Sequence, residues 1–256
     1  MNQTQQIAIK IENLYAGYDN TPIIENVNFD VFEGEVFVII GGSGCGKSTL
    51  LKHMIGLLSP ISGNVLIQGQ NLSQATGKEK NKILQKIGVA FQSGALFGSM
   101  TVMENITLPL KEFTTLPHSA MEDIAWMKLK LVGLEKSAFL MPAELSGGMK
   151  KRAALARAMA LDPSIIFLDE PSAGLDPITS AELDHLVMDL ASHLGITFVI
   201  VTHELASIEA ISDRIIVLEK SAKGIVATGT PEQLKNDHSN PYVHNFFNRK
   251  ISKGEK

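Results

Sequence analysis

The sequence predicts an α/β fold built on a largely parallel sheet. Two uninterrupted apolar runs, 165–168 and 197–201, are typical of strands that are buried on both faces. A third run, 36–40, leads directly into a glycine-rich turn and a helix-forming segment, which is the strand, loop and helix order of a phosphate-binding loop. Between residues 93 and 160, prolines punctuate helical stretches and strand-like runs thin out, so we expect a helical insertion there.

The glycine-rich turn at residues 41–48 reads GGSGCGKS and fits the pattern G-x-x-x-x-G-K-[ST] at every fixed position. Its glycines allow backbone N–H groups to converge on phosphate oxygens, and the helix predicted at 48–58 adds partial positive charge at its N-terminus. We expect Lys47 to reach the β and γ phosphates of a nucleoside triphosphate and the Ser48 hydroxyl to ligate Mg²⁺. The residues predicted to surround the phosphates are Gly41, Gly42, Ser43, Gly44, Cys45, Gly46, Lys47, Ser48 and Thr49.

The composition narrows the functional classes. At 256 residues and 45% hydrophobic content, the chain is long enough to bury a sizeable core. The net charge of −4, with dispersed basic residues, gives no electrostatic footprint for nucleic acid, so no nucleic-acid partner is expected. Cys45 is the single cysteine, which excludes an intrachain disulfide and favours a reducing compartment. No apolar run is long enough to span a bilayer and residues 1–6 do not resemble a secretory signal, so we expect any membrane role to depend on a partner at the cytoplasmic face.

Antiparallel strands are predicted around the phosphate-binding loop and at the end of the fold. The segments with strand or hairpin patterns are 7–14, 27–31, 63–70, 87–91, 215–218 and 225–227. Beyond them, residues 241–247 carry enough apolar surface to dock on the chain's own core or on a neighbouring subunit, and we favour docking over a free tail. The charged residues 249–256 are predicted to be solvated.

Two further segments carry chemistry. Asp169 and Glu170 follow the apolar strand 165–168, at the carboxyl edge where α/β sheets hold ligands. We expect Asp169 to hold Mg²⁺, directly or through water, and Glu170 to orient and deprotonate an attacking water. A second glycine turn, at 145–148, precedes the helix-forming segment 150–161 and predicts a second anion site at a helix N-terminus.

Together and in this order, these segments resemble the ATPase subunit of ABC transporters over nearly the whole chain. The resemblance implies a RecA-like P-loop core with an antiparallel β subdomain at 1–92 and 161–240, a helical subdomain with the signature motif at 93–160, and a C-terminal extension at 241–256. It also implies a homodimer paired head to tail, in which ATP bound by one subunit is contacted by the signature of the other. The signature residues are Ser146, Gly147 and Gly148.

The same resemblance implies roles for four other residues. Tyr18 is expected to stack on adenine, with Tyr15 as a nearby alternative, and Gln92 to touch Mg²⁺ or water and to sense the transmembrane partner. Asp176 belongs to the loop that crosses the dimer interface, and His203 is expected to contact the γ-phosphate. The predicted catalytic residues are Glu170, His203 and Gln92, and the predicted Mg²⁺ ligands are Ser48, Gln92 and Asp169.

Two residues depart from the family's usual pattern: Met149 stands where glutamine is usual, and Gly42 where many relatives carry proline. Since the signature contacts come from a serine hydroxyl and backbone amides, Met149 is not expected to abolish them. The runs 91–97, 145–149 and 174–179 closely resemble the ATPase of Mla-type transporters, which move phospholipids between the inner and outer membranes of Gram-negative bacteria. The implied partners are a transmembrane permease, an MCE-domain substrate-binding protein and a small STAS-domain subunit, and the implied location is the cytoplasmic face of the inner membrane.

A groove between Gln92 and the helical insertion, lined by residues 93–100, is expected to receive a short helix of the permease. Two other functions stay open. One is a soluble single-cassette ABC ATPase without a permease, such as an iron–sulfur assembly factor. The other is a nucleotide sensor that does not hydrolyse ATP, against which the intact Glu170 and His203 weigh.

Overall fold

Two β-sheets organise the chain in the computed structural model, which describes residues 5–248. The charged tail predicted at 249–256 lies outside these residues. The strands are β1 (Ile7–Tyr18), β2 (Thr21–Phe32), β3 (Val36–Gly41), β4 (Ser62–Ile67), β5 (Gln70–Asn71), β6 (Ile87–Ala90), β7 (Ile165–Asp169), β8 (Thr197–Val201), β9 (Arg214–Glu219) and β10 (Gly224–Gly229). The α-helices are α1 (Lys47–Met54), α2 (Gly77–Leu84), α3 (Val102–Phe113), α4 (His118–Leu131), α5 (Gly147–Ala158), α6 (Pro177–Leu194), α7 (Leu205–Ile211), α8 (Pro231–Lys235) and α9 (Pro241–Phe247).

The larger sheet has six strands in the order β10-β9-β3-β8-β7-β6. All neighbours from β9 to β6 are parallel, and β10 adds an antiparallel edge through the hairpin that turns at Lys223. Every residue of β3 is buried, which explains why its sequence is apolar without alternation. The carboxyl ends of β3, β6, β7 and β8 therefore meet at one edge of the sheet.

The smaller sheet is antiparallel, in the order β2-β1-β4-β5. Its first hairpin turns at Asp19 and Asn20, which both have positive φ, and β1 continues four residues beyond the predicted end at Leu14. Register shifts between β1 and β2 in this part of the strand interrupt the alternation of apolar and polar residues from which strands are predicted. The helix α1 is conversely shorter than predicted, because Gly56 adopts φ 71° just after its end and the chain turns away.

Residues 93–160 contain α3, α4, α5 and two short 3₁₀ helices, as predicted from the helical stretches in this part of the sequence. The helix α3 begins with a capping box, in which Thr101 and Glu104 each accept a hydrogen bond from the other's backbone N–H. Side chains from these helices join one face of the six-stranded sheet in a single buried cluster that includes Leu129, Leu155 and Phe198. The helical region is thus packed onto the sheet through a shared core. Within residues 5–248, no helix combines the length and apolarity needed to cross a membrane.

The opposite face of the sheet forms a second cluster with the antiparallel sheet and α1, and Phe167 on β7 is fully buried in it. We expect Phe167→Ala to lower the free energy of unfolding by about 3–5 kcal/mol, because it leaves a large cavity. The matched control is Phe139→Ala, since Phe139 is 72% exposed and has an edge contact with Trp126. The control is expected to cost about 1 kcal/mol or less in chemical denaturation. Similar losses for the two variants would contradict the assignment of the core.

Candidate active site

Residues that the sequence predicts to be catalytic lie at the ends of three neighbouring parallel strands. Gln92 lies just beyond β6, Asp169 ends β7 with Glu170 immediately after it, and His203 follows β8. The register pairs Ala90 with Leu168 and Asp169 with Val201, so these strands end nearly level. The phosphate-binding loop begins at the end of β3, which pairs with β8 on the other side. The topology thus collects these segments at one edge of the sheet.

The phosphate-binding loop is shaped by glycines that no other residue replaces without strain. Gly44 and Gly46 have φ of 74° and 104°, and Gly46 precedes the first residue of α1. A Cβ on Gly41 would lie 2.4 Å from the carbonyl oxygen of Leu218, so the loop approaches β9 too closely for a side chain. Cys45, which belongs to the loop, has a buried side chain.

Lys47 is folded back onto the loop. Its Nζ donates to the carbonyl oxygen of Gly41 at 2.7 Å and to that of Gly42 at 3.3 Å. These carbonyls satisfy the ammonium, but only as neutral acceptors, and a phosphate oxygen would form a stronger, charge-assisted bond. The side chain is therefore held beside the position where an anion on the loop would sit.

Glu170 is the best-defined catalytic candidate. Its carboxylate Oε1 accepts a hydrogen bond from Nδ1 of His203 at 2.8 Å, whereas its buried Oε2 has no hydrogen-bond partner within residues 5–248. Its backbone has φ 46°, an unfavourable conformation for a residue other than glycine and one that clusters at functional sites. The unpaired oxygen lies where a water or a ligand is needed to satisfy it. The arrangement suits a general base that is oriented by an imidazole.

Asp169 lies in a strongly charged but half-buried environment. Burial raises the pKa of its carboxyl above the ordinary value, and the neighbouring Glu170 raises it further, while Lys151, Lys52 and Lys47 oppose the shift. Because this environment destabilises the ionised form of the carboxyl, a cation bound beside it would be favoured.

Lys151, on α5, is a site residue that the sequence analysis missed. Its Nζ donates to the backbone carbonyl of Gln92 at 2.5 Å and to that of Glu170 at 3.0 Å, which ties together the segments after β6 and β7. Burial lowers the pKa of Lys151, against the opposing influence of Asp169 and Glu170. The only sequence signal was a run of three basic residues at 150–152, which does not distinguish Lys151 from its neighbours.

Tyr18 lies at the end of β1, beside α1. Its hydroxyl is 3.3 Å from the Nζ of Lys52, and that ammonium lies over the ring at 5.7 Å from its centroid. A hydrogen bond with Thr49, followed by the one with Lys52, lowers the pKa of the Tyr18 hydroxyl. Its ring is 42% exposed, while Tyr15 is half-buried within the strand. Tyr18 thus offers an accessible aromatic face next to the helix that carries the phosphate-binding loop.

The second glycine turn caps α5. Ser146 is the N-cap residue, and its Oγ accepts from the backbone N–H of Met149 at 3.3 Å. A Cβ on Gly148 would lie 2.5 Å from Cγ2 of Thr179, so glycine is needed where α5 meets α6. Ser146 and Gly147 are exposed. The turn presents a helix N-terminus to the outside, as an anion site requires.

Asp176 has a local role that the resemblance did not imply. It is the N-cap of α6, where its Oδ1 accepts from the backbone N–H groups of Ile178 and Thr179, and its Oδ2 from the Thr179 hydroxyl at 2.6 Å. The bonds with Thr179 lower the pKa of the Asp176 carboxyl. Its carboxylate is therefore engaged by the first turn of its own helix.

The oxygen donors of this edge fit Mg²⁺. Among residues 5–248 no three His, Cys, Asp or Glu side chains gather as a preformed metal centre. Mg²⁺ does not require one, because it keeps several waters and binds through one or two protein oxygens plus substrate phosphates. Ser48, Gln92 and Asp169 offer a hydroxyl, an amide oxygen and a carboxylate, and the orphaned Oε2 of Glu170 marks a place for an ordered water.

Comparison with known proteins supports the fold and the activity. The family model described as ABC transporter matches residues 24–173. The chain is 42% identical to a probable ribonucleotide transport ATP-binding protein of Mycobacterium leprae, over 94% of this chain and 69% of that one. It is 40% identical to the intermembrane phospholipid transport system ATP-binding protein MlaF of Haemophilus influenzae, over 91% of this chain and 87% of that one. A dimeric ATP-binding cassette, MJ0796, solved in a post-hydrolysis state with ADP and Pi, matches with a TM-score of 0.79 and 32% identity, over 87% of this chain and 98% of that one.

We expect Glu170→Gln to lower ATP turnover by a factor of about 10²–10⁴ while ATP binding is retained. Glutamine keeps an oxygen that accepts from His203, but it cannot take a proton from water. Steady-state turnover and a nucleotide-binding assay check the two parts separately. The control is Glu209→Gln, which removes an exposed ion pair with Lys235 and is expected to leave turnover unchanged. Turnover of the Glu170 variant close to that of the wild type would contradict its role as general base.

We expect Asp169→Asn to stabilise the nucleotide-free chain at neutral pH and to impair Mg²⁺-dependent hydrolysis. Since the folded-state pKa of Asp169 is raised, the folded protein binds this proton more tightly than the unfolded chain does. Wild-type stability therefore falls as the pH rises from about 4, the unfolded pKa, through the folded pKa, and the asparagine variant escapes this loss. Urea denaturation across this range measures the gap, with the exposed Asp189→Asn as control. A gap that widens towards acidic pH would contradict the assignment.

Proposed function

Because this chain belongs to the ABC transporter family and is an ATPase, we propose that it is the ATP-hydrolysing subunit of a transporter that moves phospholipid between the inner and outer membranes of a Gram-negative bacterium. The observation that carries the catalytic part is the Glu170–His203 pair, held at 2.8 Å at the same sheet edge as the phosphate-binding loop. The cargo is supported by the likeness to MlaF, which extends over 91% of the chain.

The residues divide the work of hydrolysis among themselves. Lys47 exchanges its two backbone carbonyls for the β and γ phosphates, and the amides of the loop hold the remaining oxygens. Ser48, Gln92 and Asp169 would hold Mg²⁺, which would neutralise part of the negative charge of the phosphates. Glu170 accepts the proton of the attacking water, while His203 orients that carboxylate and lies beside the γ-phosphate. Tyr18 stacks on the adenine.

The active form is a homodimer in this proposal, since each chain carries an incomplete site. Ser146 and Gly147 are exposed on a helix N-terminus that makes no hydrogen bond with the phosphate-binding loop within residues 5–248. Head-to-tail pairing brings this anion-binding turn onto the ATP of the second subunit. The dimeric state of MJ0796, which is similar to this chain, supports the pairing.

The permease is proposed to dock on the helical region. A groove of about 360 Å³ lies between α3 and α4 and is lined by Met100, Thr107 and Met121 among others. The sequence predicted that residues 93–100 line the groove, but among them only Met100 does so. Phe97, in the same loop, is 51% exposed. The loop is anchored to α5, because Arg157 donates to the carbonyl oxygens of Gly94 at 2.9 Å and Ala95 at 2.7 Å. A short permease helix in this groove would then reach Gln92 through a rigid segment, which would hold the subunit at the cytoplasmic face of the inner membrane.

The relatives' names point to two different cargoes, phospholipid and ribonucleotide, at nearly equal identity. We favour phospholipid because the chain spans 87% of MlaF but 69% of the mycobacterial protein, and because the runs 91–97 and 174–179 resemble the Mla type. An MCE-domain protein and a small STAS-domain subunit complete the proposed assembly. The rival is a soluble ATPase that has no permease, such as an iron–sulfur assembly factor.

We expect the chain, expressed with its chromosomal neighbours, to purify in detergent with a membrane-spanning permease. After reconstitution in vesicles, the complex is expected to transfer labelled phospholipid to an acceptor only while it hydrolyses ATP. The complex that carries Glu170→Gln is the negative control. Labelled ribonucleotide enclosed in the same vesicles measures the other cargo. ATP-driven movement of ribonucleotide without phospholipid transfer would overturn the proposed cargo, and exclusive recovery with a soluble scaffold would overturn the transporter itself.

A further inference from the structure

The C-terminal helix α9 docks on the chain's own core, as its apolar residues predict. Val243 is fully buried and Phe247 is 4% exposed, both within the cluster that fills the larger sheet's helical face. The side chain of Asn240 caps the helix, since its Oδ1 accepts from the backbone N–H groups of Tyr242 and Val243. The position of Tyr242 is therefore fixed by packing on one side and by the cap on the other.

Tyr242 reaches the phosphate-binding loop from 200 residues away in the chain. Its hydroxyl oxygen accepts a hydrogen bond from the backbone N–H of Gly42 at 2.7 Å. Burial raises the pKa of Tyr242 above its ordinary value, so the hydroxyl is neutral at physiological pH. A Cβ on Gly42 would lie 3.0 Å from this hydroxyl, and the glycine thus leaves just the space that the tyrosine uses.

The peptide unit that donates to Tyr242 is the one that holds Lys47. The N–H of Gly42 and the carbonyl of Gly41 belong to one planar unit and point in opposite directions. The carbonyl accepts from Nζ of Lys47 at 2.7 Å, so this peptide is fixed between the tyrosine on one side and the ammonium on the other. Donation by an N–H also polarises its own peptide and strengthens the carbonyl as an acceptor.

On the side of its N–H group this peptide is held by the tyrosine hydroxyl, while Lys47 and the pairing of Gly41 with Leu218 on β9 hold the side of Gly41. It joins two glycines, which have the widest choice of backbone conformations, and its rotation would remove the main acceptor of Lys47. The loop would then have to be ordered by the nucleotide at the cost of binding energy, whereas the wild-type loop is ordered beforehand.

We propose that Tyr242 is a positioning residue for ATP binding, which acts through the Gly41–Gly42 peptide to hold Lys47 and the phosphate-binding loop ready for the triphosphate. The proposal rests on the proposed nucleotide site at residues 41–48. It gives the C-terminal helix a part in the nucleotide site of its own chain.

The test is Tyr242→Phe in the full-length chain, which removes one oxygen and keeps the ring. We expect the Kd for ATP to rise about 2- to 10-fold, the range that corresponds to the loss of one net hydrogen bond. The turnover at saturating ATP is expected to change less, because bound phosphates reorder the loop.

A second readout uses the only cysteine of the chain. Cys45 belongs to the loop, is 2% exposed, and its backbone N–H donates to the carbonyl of Gly42 at 3.3 Å. Alkylation of this thiol by N-ethylmaleimide therefore reports the order of the loop without an introduced label. We expect faster alkylation in Tyr242→Phe than in the wild type when nucleotide is absent, and equal protection of both proteins by saturating ATP.

Two controls separate the outcomes. Val243→Ala weakens the packing of the same helix but keeps the hydroxyl, so it is expected to lower the melting temperature and to leave the Kd within about twofold. If Val243→Ala raises the Kd as much as Tyr242→Phe does, or if Tyr242→Phe changes neither Kd nor alkylation, the proposal is overturned. Lys47→Ala is expected to lose most ATP affinity, and retained affinity there would refute the nucleotide site itself rather than the role of Tyr242.

Discussion

The parallel register of β3, β8, β7 and β6 is the constraint on which the rest of the structure depends. Because these strands run side by side in one direction, the segments that follow them emerge at a single edge, although they are spread along the chain from Gly41 to His203. Both faces of the sheet are covered by hydrophobic clusters, so the strands cannot slip by one residue without turning buried side chains to the wrong face. The positions of these segments are thus a consequence of core packing, to which Lys151 adds hydrogen bonds that join the segments after β6 and β7.

Within residues 5–248, the lysines and carboxylates at this edge are not paired directly with one another. Asp169 and Glu170 are adjacent carboxylates in a half-buried place, and Lys47 and Lys151 lie near them. Both lysines are tethered by backbone carbonyls rather than by direct salt bridges to these carboxylates. A carbonyl satisfies an ammonium without neutralising it, so the positive charge of Lys47 stays available to a phosphate, and the negative charge of Asp169 stays available to a cation. Hydrogen bonds to backbone carbonyls thus keep the two lysines in place, and they leave the charges of Lys47 and Asp169 available to ligands.

The sequence predicted those parts of the site that lie within one short segment, and it missed those that depend on contacts between distant segments. The phosphate-binding loop, the Asp169–Glu170 pair and the strand before His203 each have a local pattern that fixes their place at the end of a strand. Lys151 has none, because its value comes from two carbonyls that the fold brings to it. Helix ends and strand lengths were also missed, since Gly56 and the register shifts of β1 act through backbone conformation rather than hydrophobic period. Even Asp176, placed correctly in its loop, has a capping role that only geometry reveals.

The helix α5 links the two halves of the proposed mechanism. Its first turn, capped by Ser146, is the surface proposed to close on the ATP of a second subunit, and Lys151, on the next turn, holds the segments that carry Gln92 and Glu170 of its own site. Arg157, near the other end, holds the loop that leads towards the permease groove. Ser146, Lys151 and Arg157 thus act on one continuous helix, whose buried face packs against the sheet in a shared core. In the proposed dimer, contact at Ser146 would be transmitted through this helix to the catalytic segments and to the loop that leads towards the groove.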